Sequence, residues 1–319
     1  MKKKWLGLIG ILILLIIGGA WYAYHRHVIA QENQSIRTVR IAYLPITHAL
    51  PLFAAKELET PNGPVHIELV KYSSWPELMD ALNTGKVDGA SVLIELAVKA
   101  REQGIDVRAA ALGHTAGNMI IVGNDINTVQ DLRGKRIAIP HKQSTQKLML
   151  DQMLEEAGMS EKDVIVTEMA PTEMPSALAV NQIAGYIVAE PFGAKSTVLH
   201  KGKVLMDPEK TLWPDSVCCA LVFNGTFVDK HTELARQVTK EYLAAGQYLT
   251  DHPDQQLPIA KKYMKVNDAI LAQSLKWIRF DHLQITAQQY DELTKRMVKE
   301  HLLKWVLAYK DFVDQSLSH

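Results

Sequence analysis

Ser144, Thr145 and Gln146 are polar side chains whose position in the sequence favours the binding of an anion. They lie between the apolar run Ile137–Ile139 and a helical pattern that continues to Gly158, so a helix is predicted to begin near Ser144. Backbone N–H groups in the first turn of a helix lack intrahelical partners and carry the positive end of the helix dipole. Such a turn is suited to an anionic group. The alternative is that Ser144 or Thr145 only caps the helix.

The order of strand, polar loop and helix occurs twice in the chain. Ile41–Pro45 matches Ile137–Pro140, and Gly89 matches Gly185 at an offset of about 96 residues. Each half therefore predicts an α/β lobe whose strand ends and helix N-terminus face a shared crevice. Two such lobes would form a clamp around a small ligand. Chance matching of small and apolar residues is the alternative, because the repeat is short.

Other candidate ligand-binding residues lie where predicted strands end. They are Pro45, Ile46, Thr47 and His48 after the first strand, Trp75 at a strand-to-helix junction, Ser91 where the third strand passes into the next loop or helix, and Glu190 and Phe192 after the strand at 186–189. A buried carboxylate without a partner is costly, so Glu190 should pair with Lys195 or Lys142, or meet a cationic or donor-rich part of the ligand. The alternative is that Glu190 is a solvated residue at the rim of the crevice.

The two cysteines of the chain, Cys218 and Cys219, are adjacent. They cannot provide a disulfide framework, because a bond between neighbours closes a strained ring. They lie in the apolar run Val217–Phe223, which predicts a buried strand in which cysteine acts as a small hydrophobic residue. A redox or metal role is the less favoured alternative. We therefore predict no metal site, no cofactor and no catalytic residue.

The composition is that of a folded globular protein. The chain has 319 residues, of which 47% are hydrophobic and 22% are charged, and this length allows two domains. Lysine and arginine together number 35, as do aspartate and glutamate. Because no net charge would attract a polyanion, nucleic acid is not an expected partner.

The first 30 residues are predicted to be a membrane anchor or a signal segment. Lys2–Lys4 precede an apolar run from Trp5 to Tyr24 that is long enough to cross a bilayer as a helix. An uncleaved anchor is favoured, which would hold the rest of the chain at the outer face of the cytoplasmic membrane. Cleavage after Ala30 is the alternative and would give a secreted or periplasmic protein. Residues 31–36 are a short polar linker.

The rest of the chain is predicted to form two lobes. Residues 37–120 and 218–319 make the first lobe and residues 121–217 the second, because the strand that contains the cysteines returns the chain to the first lobe. The flexible loop Gly113–Asn118 is the first hinge candidate. The last third of the chain is helical and is predicted to pack on the first lobe, with Trp305, Tyr309 and Phe312 docked there too.

Four short segments resemble one family of binding proteins. They are Ile41–Thr47, Leu82–Ala90, Asp131–Ala138 and Ala189–Phe192. Over nearly all of the chain after the anchor, the sequence is similar to the extracytoplasmic substrate-binding proteins of ABC importers for nitrate, sulfonates, taurine and bicarbonate, which are relatives of the thiamine-pyrimidine binders. The chain departs from this pattern at Gln143, where many members have glycine, and at Lys147, where many have histidine or another polar residue.

The resemblance implies an α/β protein with the type II periplasmic-binding-protein fold, in which two lobes close over one small molecule. It implies that the loops at 46–48, 91, 144–146 and 190–192 touch the ligand. The expected function is to capture a small polar or anionic solute, similar to a sulfonate, taurine or nitrate, for an ABC importer. The expected partners are that solute, a permease with its ATPase, and the membrane through the N-terminal helix, and the protein is expected to be a monomer.

Two other functions stay open. The first is binding of a thiamine-precursor pyrimidine, or catalysis like that of a pyrimidine synthase of the same fold. That synthase binds iron through a cluster of cysteines, which Cys218 and Cys219 faintly resemble. The sequence has no nucleophile elbow, no His-x-x-x-His pair and no phosphate-binding glycine loop, so we predict a binding protein rather than an enzyme. The second is a surface sensor domain that uses the same clamp.

Overall fold

The computed structural model describes residues 18–22 and 38–318. Residues 18–22 are helical and belong to a separate unit from Val39–His319. The predicted anchor and linker lie mostly outside the described residues. No helix within the described ranges is both long and apolar enough to cross a membrane.

The described chain contains two five-stranded sheets and one two-stranded ribbon. In chain order the strands are β1 (Thr38–Tyr43), β2 (His66–Lys71), β3 (Gly89–Leu93), β4 (Val107–Leu112), β5 (Thr115–Ala116), β6 (Asn118–Val122), β7 (Arg136–Ile139), β8 (Ile165–Glu168), β9 (Gly185–Ala189), β10 (Lys203–Met206), β11 (Cys219–Asn224) and β12 (Ile278–Arg279). The strand order is β2-β1-β3-β11-β4 in the first sheet and β10-β6-β9-β7-β8 in the second, and β12 pairs with β5.

Helices cover the sheets and fill most of the last third of the chain. In chain order they are α1 (Leu50–Glu57), α2 (Trp75–Asn83), α3 (Ile94–Glu102), α4 (Thr145–Glu156), α5 (Met174–Ala179), α6 (Phe192–Val198), α7 (Pro208–Thr211), α8 (Gly225–Lys230), α9 (Thr232–Asp251), α10 (Pro253–Tyr263), α11 (Asp268–Ser274), α12 (Ala287–Lys299) and α13 (Tyr309–Phe312). Short 3-10 turns occupy Thr47–Ala49, Val129–Leu132, Glu161–Asp163 and Gln315–Leu317.

The strands β3, β11 and β4 of the first sheet are almost entirely buried, as their apolar sequences require. β1 and β3 are parallel, whereas β11 runs antiparallel between β3 and β4. Because β11 runs in the opposite direction, its first residue, Cys219, lies beside Leu93 at the end of β3. The carboxyl ends of β1, β3 and β4 and the start of β11 therefore share one edge of the sheet.

The second sheet combines parallel and antiparallel pairs. β7 is parallel to β8 and β9, whereas β6 is antiparallel to β9 and β10. β6 begins at Asn118, so this sheet includes residues that precede position 121, where the second lobe was predicted to begin. The lobe boundaries themselves stay a prediction.

Two local expectations differ from the structure. Ser91 lies in the middle of β3, opposite Leu221 of β11, rather than in a loop, because β3 continues to Leu93. Of the C-terminal aromatic residues that are predicted to dock on the first lobe, Phe312 is buried and stacks on Tyr290, whereas Trp305 is 48% exposed. The buried face of α9, in contrast, packs on α1 and β4, as the helical pattern of the last third predicts.

Candidate functional site

Four side chains with metal-binding chemistry meet at the shared edge of the first sheet: His48, His114, Cys218 and Cys219. His48 lies in the 3-10 turn after β1, His114 follows β4, and the cysteines lead into β11. Gly113 allows the segments to approach, because a Cβ there would come within 2.7 Å of the His48 carbonyl oxygen. The strand order of the sheet thus brings together residues that are far apart in the sequence.

The potential ligand atoms of the four side chains are close to one another. The two Sγ atoms are 3.9 Å apart, and His48 Nδ1 lies 3.8 Å from Cys218 Sγ and 3.6 Å from Cys219 Sγ. The centroids of the two imidazole rings are 3.6 Å apart, and the ring planes are tilted by 38°. One ligand atom from each residue lies within 4.8 Å of the others, and all four side chains are buried. We call this set the His2Cys2 cluster.

Hydrogen bonds to backbone carbonyls fix the outer nitrogen of each imidazole. His48 Nε2 lies 2.8 Å from the Gly117 carbonyl oxygen, and His114 Nδ1 lies 2.6 Å from the Ala116 carbonyl oxygen. A carbonyl only accepts, so these nitrogens carry protons, and in a neutral ring the lone pair lies on the other nitrogen, which is Nδ1 in His48 and Nε2 in His114. Among the described residues, His114 Nε2 has no hydrogen-bond partner. Burial, followed by the proximity of His48, lowers the pKa of His114 to about 4, so this ring is neutral at physiological pH.

The turn that supplies both carbonyls has an uncommon backbone. Ala116 has a φ of 58° and Gly117 a φ of 87°. The left-handed region costs an alanine roughly 1 kcal/mol, and such strain tends to persist where the surrounding structure needs the conformation. At this turn, the conformation aims two successive carbonyl oxygens at two imidazoles.

Residues from the start of α4 and β6 cover the His2Cys2 cluster. Gln146 Nε2 donates to Asn118 Oδ1 at 2.7 Å and lies 3.4 Å from Cys218 Sγ. Thr145 Oγ1 donates to the Val217 carbonyl oxygen at 2.8 Å and contacts Glu95 Oε1. Burial, followed by the proximity of Cys218, raises the pKa of Glu95 well above its usual range, so a protonated Glu95 can donate to Thr145.

Ser144 caps helix α4, which is the alternative to its predicted role in anion binding. Its Oγ accepts from the Lys147 backbone N–H at 3.2 Å and donates to the His141 carbonyl oxygen. Its polar atoms are thus used within its own turn. Direct contact of Ser144 with a ligand stays a prediction.

Thr47 and Glu190 connect the first sheet to the second. Both the backbone N–H and the Oγ1 of Thr47 donate to the Glu190 carbonyl oxygen, at 2.9 and 3.0 Å. The Glu190 carboxyl is fully buried and accepts from the Ala194 N–H at 3.0 Å, and burial raises its pKa to about 8. No described lysine forms an ion pair with it, so the predicted pairing with Lys195 or Lys142 is not found.

The other predicted ligand residues lie around this centre. Pro45 and Phe192 line a groove of about 420 Å³ that also contains Lys71, Lys195 and Lys265. Ile46 is buried in the loop between Pro45 and His48. Trp75 Nε1 and Ser91 Oγ are buried and have no hydrogen-bond partner among the described residues, so no hydrogen bond ties them to the cluster. Their contact with a ligand stays a prediction.

Comparison with known proteins gives the family. Residues 32–262 match the model of the NMT1-like family. The chain belongs to this family. The ligand-binding component of an ABC-type import system from Staphylococcus aureus, solved with zinc bound, is 37% identical and superposes with a TM-score of 0.83 over 88% of this chain and 97% of that one.

Two further proteins extend the comparison. The nitrate/nitrite binding protein NrtA of Nostoc sp. is 23% identical over 66% of this chain, and the chain spans about half, 53%, of that relative's length. The periplasmic aliphatic sulphonate binding protein SsuA from Escherichia coli is 18% identical, with a TM-score of 0.72 over 88% of this chain and 92% of that one. These similarities confirm the predicted periplasmic-binding-protein fold and the predicted family.

Proposed function

We propose that this chain is the extracytoplasmic solute-binding component of an ABC importer. It encloses one small solute between two lobes and delivers it to a permease with its ATPase. The name of the S. aureus relative, a ligand-binding component of an ABC-type import system, supports this function. None of the three relatives described above is named as an enzyme, which favours binding over the pyrimidine-synthase alternative.

The observation that carries the proposal is a set of hydrogen bonds that join the two proposed lobes around buried polar side chains. Thr47 bonds to Glu190 on one side of the crevice, and Thr145 bonds to Glu95 on the other. Between these contacts lies the His2Cys2 cluster under Gln146. Hydrogen bonds of this kind can break and form again, so the crevice can open by a hinge motion.

The two lobes of the clamp are proposed to be residues 37–120 with 218–319, and residues 121–217. The chain crosses between them near Gly117 and again near Cys218. Both crossings adjoin the His2Cys2 cluster, so solute binding there would bear directly on closure.

Two classes of solute fit the relatives. The names of NrtA and SsuA support a small anion similar to nitrate, a sulfonate or taurine, for which the start of α4 offers backbone donors. The zinc in the S. aureus relative supports a metal ion instead. Two imidazoles and two thiols at the base of the crevice favour the metal ion, because these groups are metal ligands and none of them is a fixed cation that would hold an anion.

Hydrogen exchange measures closure in the full-length chain. With zinc, taurine, an alkanesulfonate, nitrate and bicarbonate tested separately, at least one solute should slow exchange in the segments around Thr47 and Thr145, whose N–H and hydroxyl groups bond across the crevice. The helix α8, which follows the end of β11 opposite to Cys219, serves as the internal control and should exchange at an unchanged rate. Unchanged exchange at both segments with every solute would contradict the clamp.

The N-terminal segment is proposed to be an uncleaved anchor that holds the protein, as a monomer, at the outer face of the membrane. The lysines before the apolar run at 5–24 support this orientation. A mature chain that begins at Gln31 would contradict the anchor, although not the location outside the cytoplasm.

A further inference from the structure

The spacing of the His2Cys2 cluster matches the edges of a tetrahedral metal site. Zinc bonds of about 2.3 Å to sulfur and about 2.0 Å to nitrogen separate two tetrahedral sulfurs by about 3.8 Å and a sulfur from a nitrogen by about 3.6 Å. The observed distances are 3.9 Å between the sulfurs, and 3.6 and 3.8 Å from His48 Nδ1 to them. His114 Nε2 completes the set within 4.8 Å. A single ion can therefore reach all four atoms with little movement of the side chains.

The orientation of the imidazoles also fits a metal site. A metal-bound histidine normally donates its other ring N–H to a carbonyl or carboxylate, which fixes the tautomer and the direction of the lone pair. His48 and His114 both do so, through the Gly117 and Ala116 carbonyls. A cluster that only filled space would need neither this orientation nor the left-handed turn at Ala116 that makes it possible.

Charge and ligand type narrow the class of ion. Two thiolates balance a divalent cation, so the loaded cluster has no net charge in a fully buried position. Tetrahedral sulfur and imidazole ligands suit zinc and other thiophilic ions, whereas magnesium, calcium and manganese prefer oxygen. The buried His114 Nε2 has no hydrogen-bond partner among the described residues, so its lone pair can be used to bind an ion.

We propose that His48, His114, Cys218 and Cys219 together bind a thiophilic transition-metal ion of the zinc class, and that this ion is the solute of the crevice. The second part rests on the proposed function. All four ligands come from the edge of the first sheet and the segments that join it, whereas the cover comes from Asn118 and the start of α4. Withdrawal of that cover exposes a complete ligand set, so the open form receives the ion and closure buries it.

Metal titration of the full-length chain tests the site. Zinc added against a coloured chelator should bind at one ion per chain, and cobalt(II) should give the intense thiolate charge-transfer band of a tetrahedral sulfur site. Cys218→Ser and His114→Gln should each weaken zinc binding by at least about 100-fold, more than the loss of an outer hydrogen bond does. His231→Gln, outside the cluster, is the matched control and should bind as the wild type does.

Three results would overturn the site. They are the absence of stoichiometric zinc in the wild type, a cobalt spectrum without thiolate bands, and wild-type affinity in both cluster variants. The unfolding midpoint of each metal-free variant checks that it is folded. If one variant does not fold, the cobalt spectrum of the wild type still decides whether sulfur binds the ion.

Hydrogen exchange with zinc and with the other solutes tests the metal site and the importer function separately. Zinc should slow hydrogen exchange around Thr47 and Thr145, and a chelator should reverse the effect. Zinc bound at one ion per chain without slowed exchange would overturn the solute role and leave a fixed structural metal. Slowed exchange with taurine, an alkanesulfonate, nitrate or bicarbonate but not with zinc would overturn the inference and leave the importer function intact.

Discussion

Replacement of Glu190 by glutamine should raise the free energy of unfolding at pH 8 and leave it nearly unchanged at pH 5. Burial raises the pKa of Glu190 to about 8, from an unfolded value near 4.5. At pH values between these two pKa values, Glu190 is protonated in the folded state and ionised in the unfolded state. Glu190 therefore lowers the free energy of unfolding as pH rises. The slope approaches about 1.4 kcal/mol per pH unit, so the variant should gain on the order of 3 kcal/mol at pH 8.

Urea unfolding of both proteins at pH 5, 6, 7 and 8 measures this difference. Glu68→Gln removes an exposed carboxylate of β2 and is the matched control, which should keep the wild-type pH dependence. Parallel curves for wild type and Glu190→Gln from pH 5 to 8 would mean that Glu190 is ionised in the folded protein. An undetected cationic partner would then have to be present beside it.

Replacement of Gln146 by leucine should weaken zinc binding by about 10- to 100-fold, the range found when a hydrogen bond to a metal ligand is lost. The Gln146 amide lies 3.4 Å from Cys218 Sγ and also donates to Asn118. Its N–H group stabilises a thiolate at that position, and leucine of similar size cannot replace it. Competition with a chelator of known affinity measures the change.

Gln152→Leu provides a matched control on the same helix. Gln152 donates to the Leu212 carbonyl oxygen at 2.7 Å, away from the cluster. This variant should lose stability through the unpaired carbonyl but keep wild-type zinc affinity. Equal zinc affinity in Gln146→Leu and Gln152→Leu would mean that the Gln146 amide does not stabilise the metal-bound thiolate.

Local patterns in the sequence predict much of the fold. The strand Val107–Leu112 is found with the predicted bounds, and α4 begins after Ser144 as expected. Apolar runs and capping residues determine these features within a few positions of the chain, so periodicity is enough to find them. The family resemblance supplies the arrangement of the two sheets, which local patterns do not contain.

The His2Cys2 cluster is harder to predict because it depends on strand order. His114 and Cys218 are adjacent only because β11 inserts between β3 and β4 and runs antiparallel to both. The spacing of His48, His114 and the cysteines does not resemble a local metal motif, so the sequence alone predicts that the cysteines are buried hydrophobic residues. Two adjacent cysteines at the start of a return strand, with histidines after two other strands, are the signal that would have suggested the site.

X-ray absorption at the zinc edge of the loaded full-length protein tests the central claim most directly. If the His2Cys2 cluster binds the ion, the spectrum shows a four-coordinate ion with two sulfur atoms at about 2.3 Å and two nitrogen atoms at about 2.0 to 2.1 Å. Cys218→Ser should lower the sulfur contribution by half. A first shell that contains only nitrogen and oxygen would contradict the claim that Cys218 and Cys219 bind the ion.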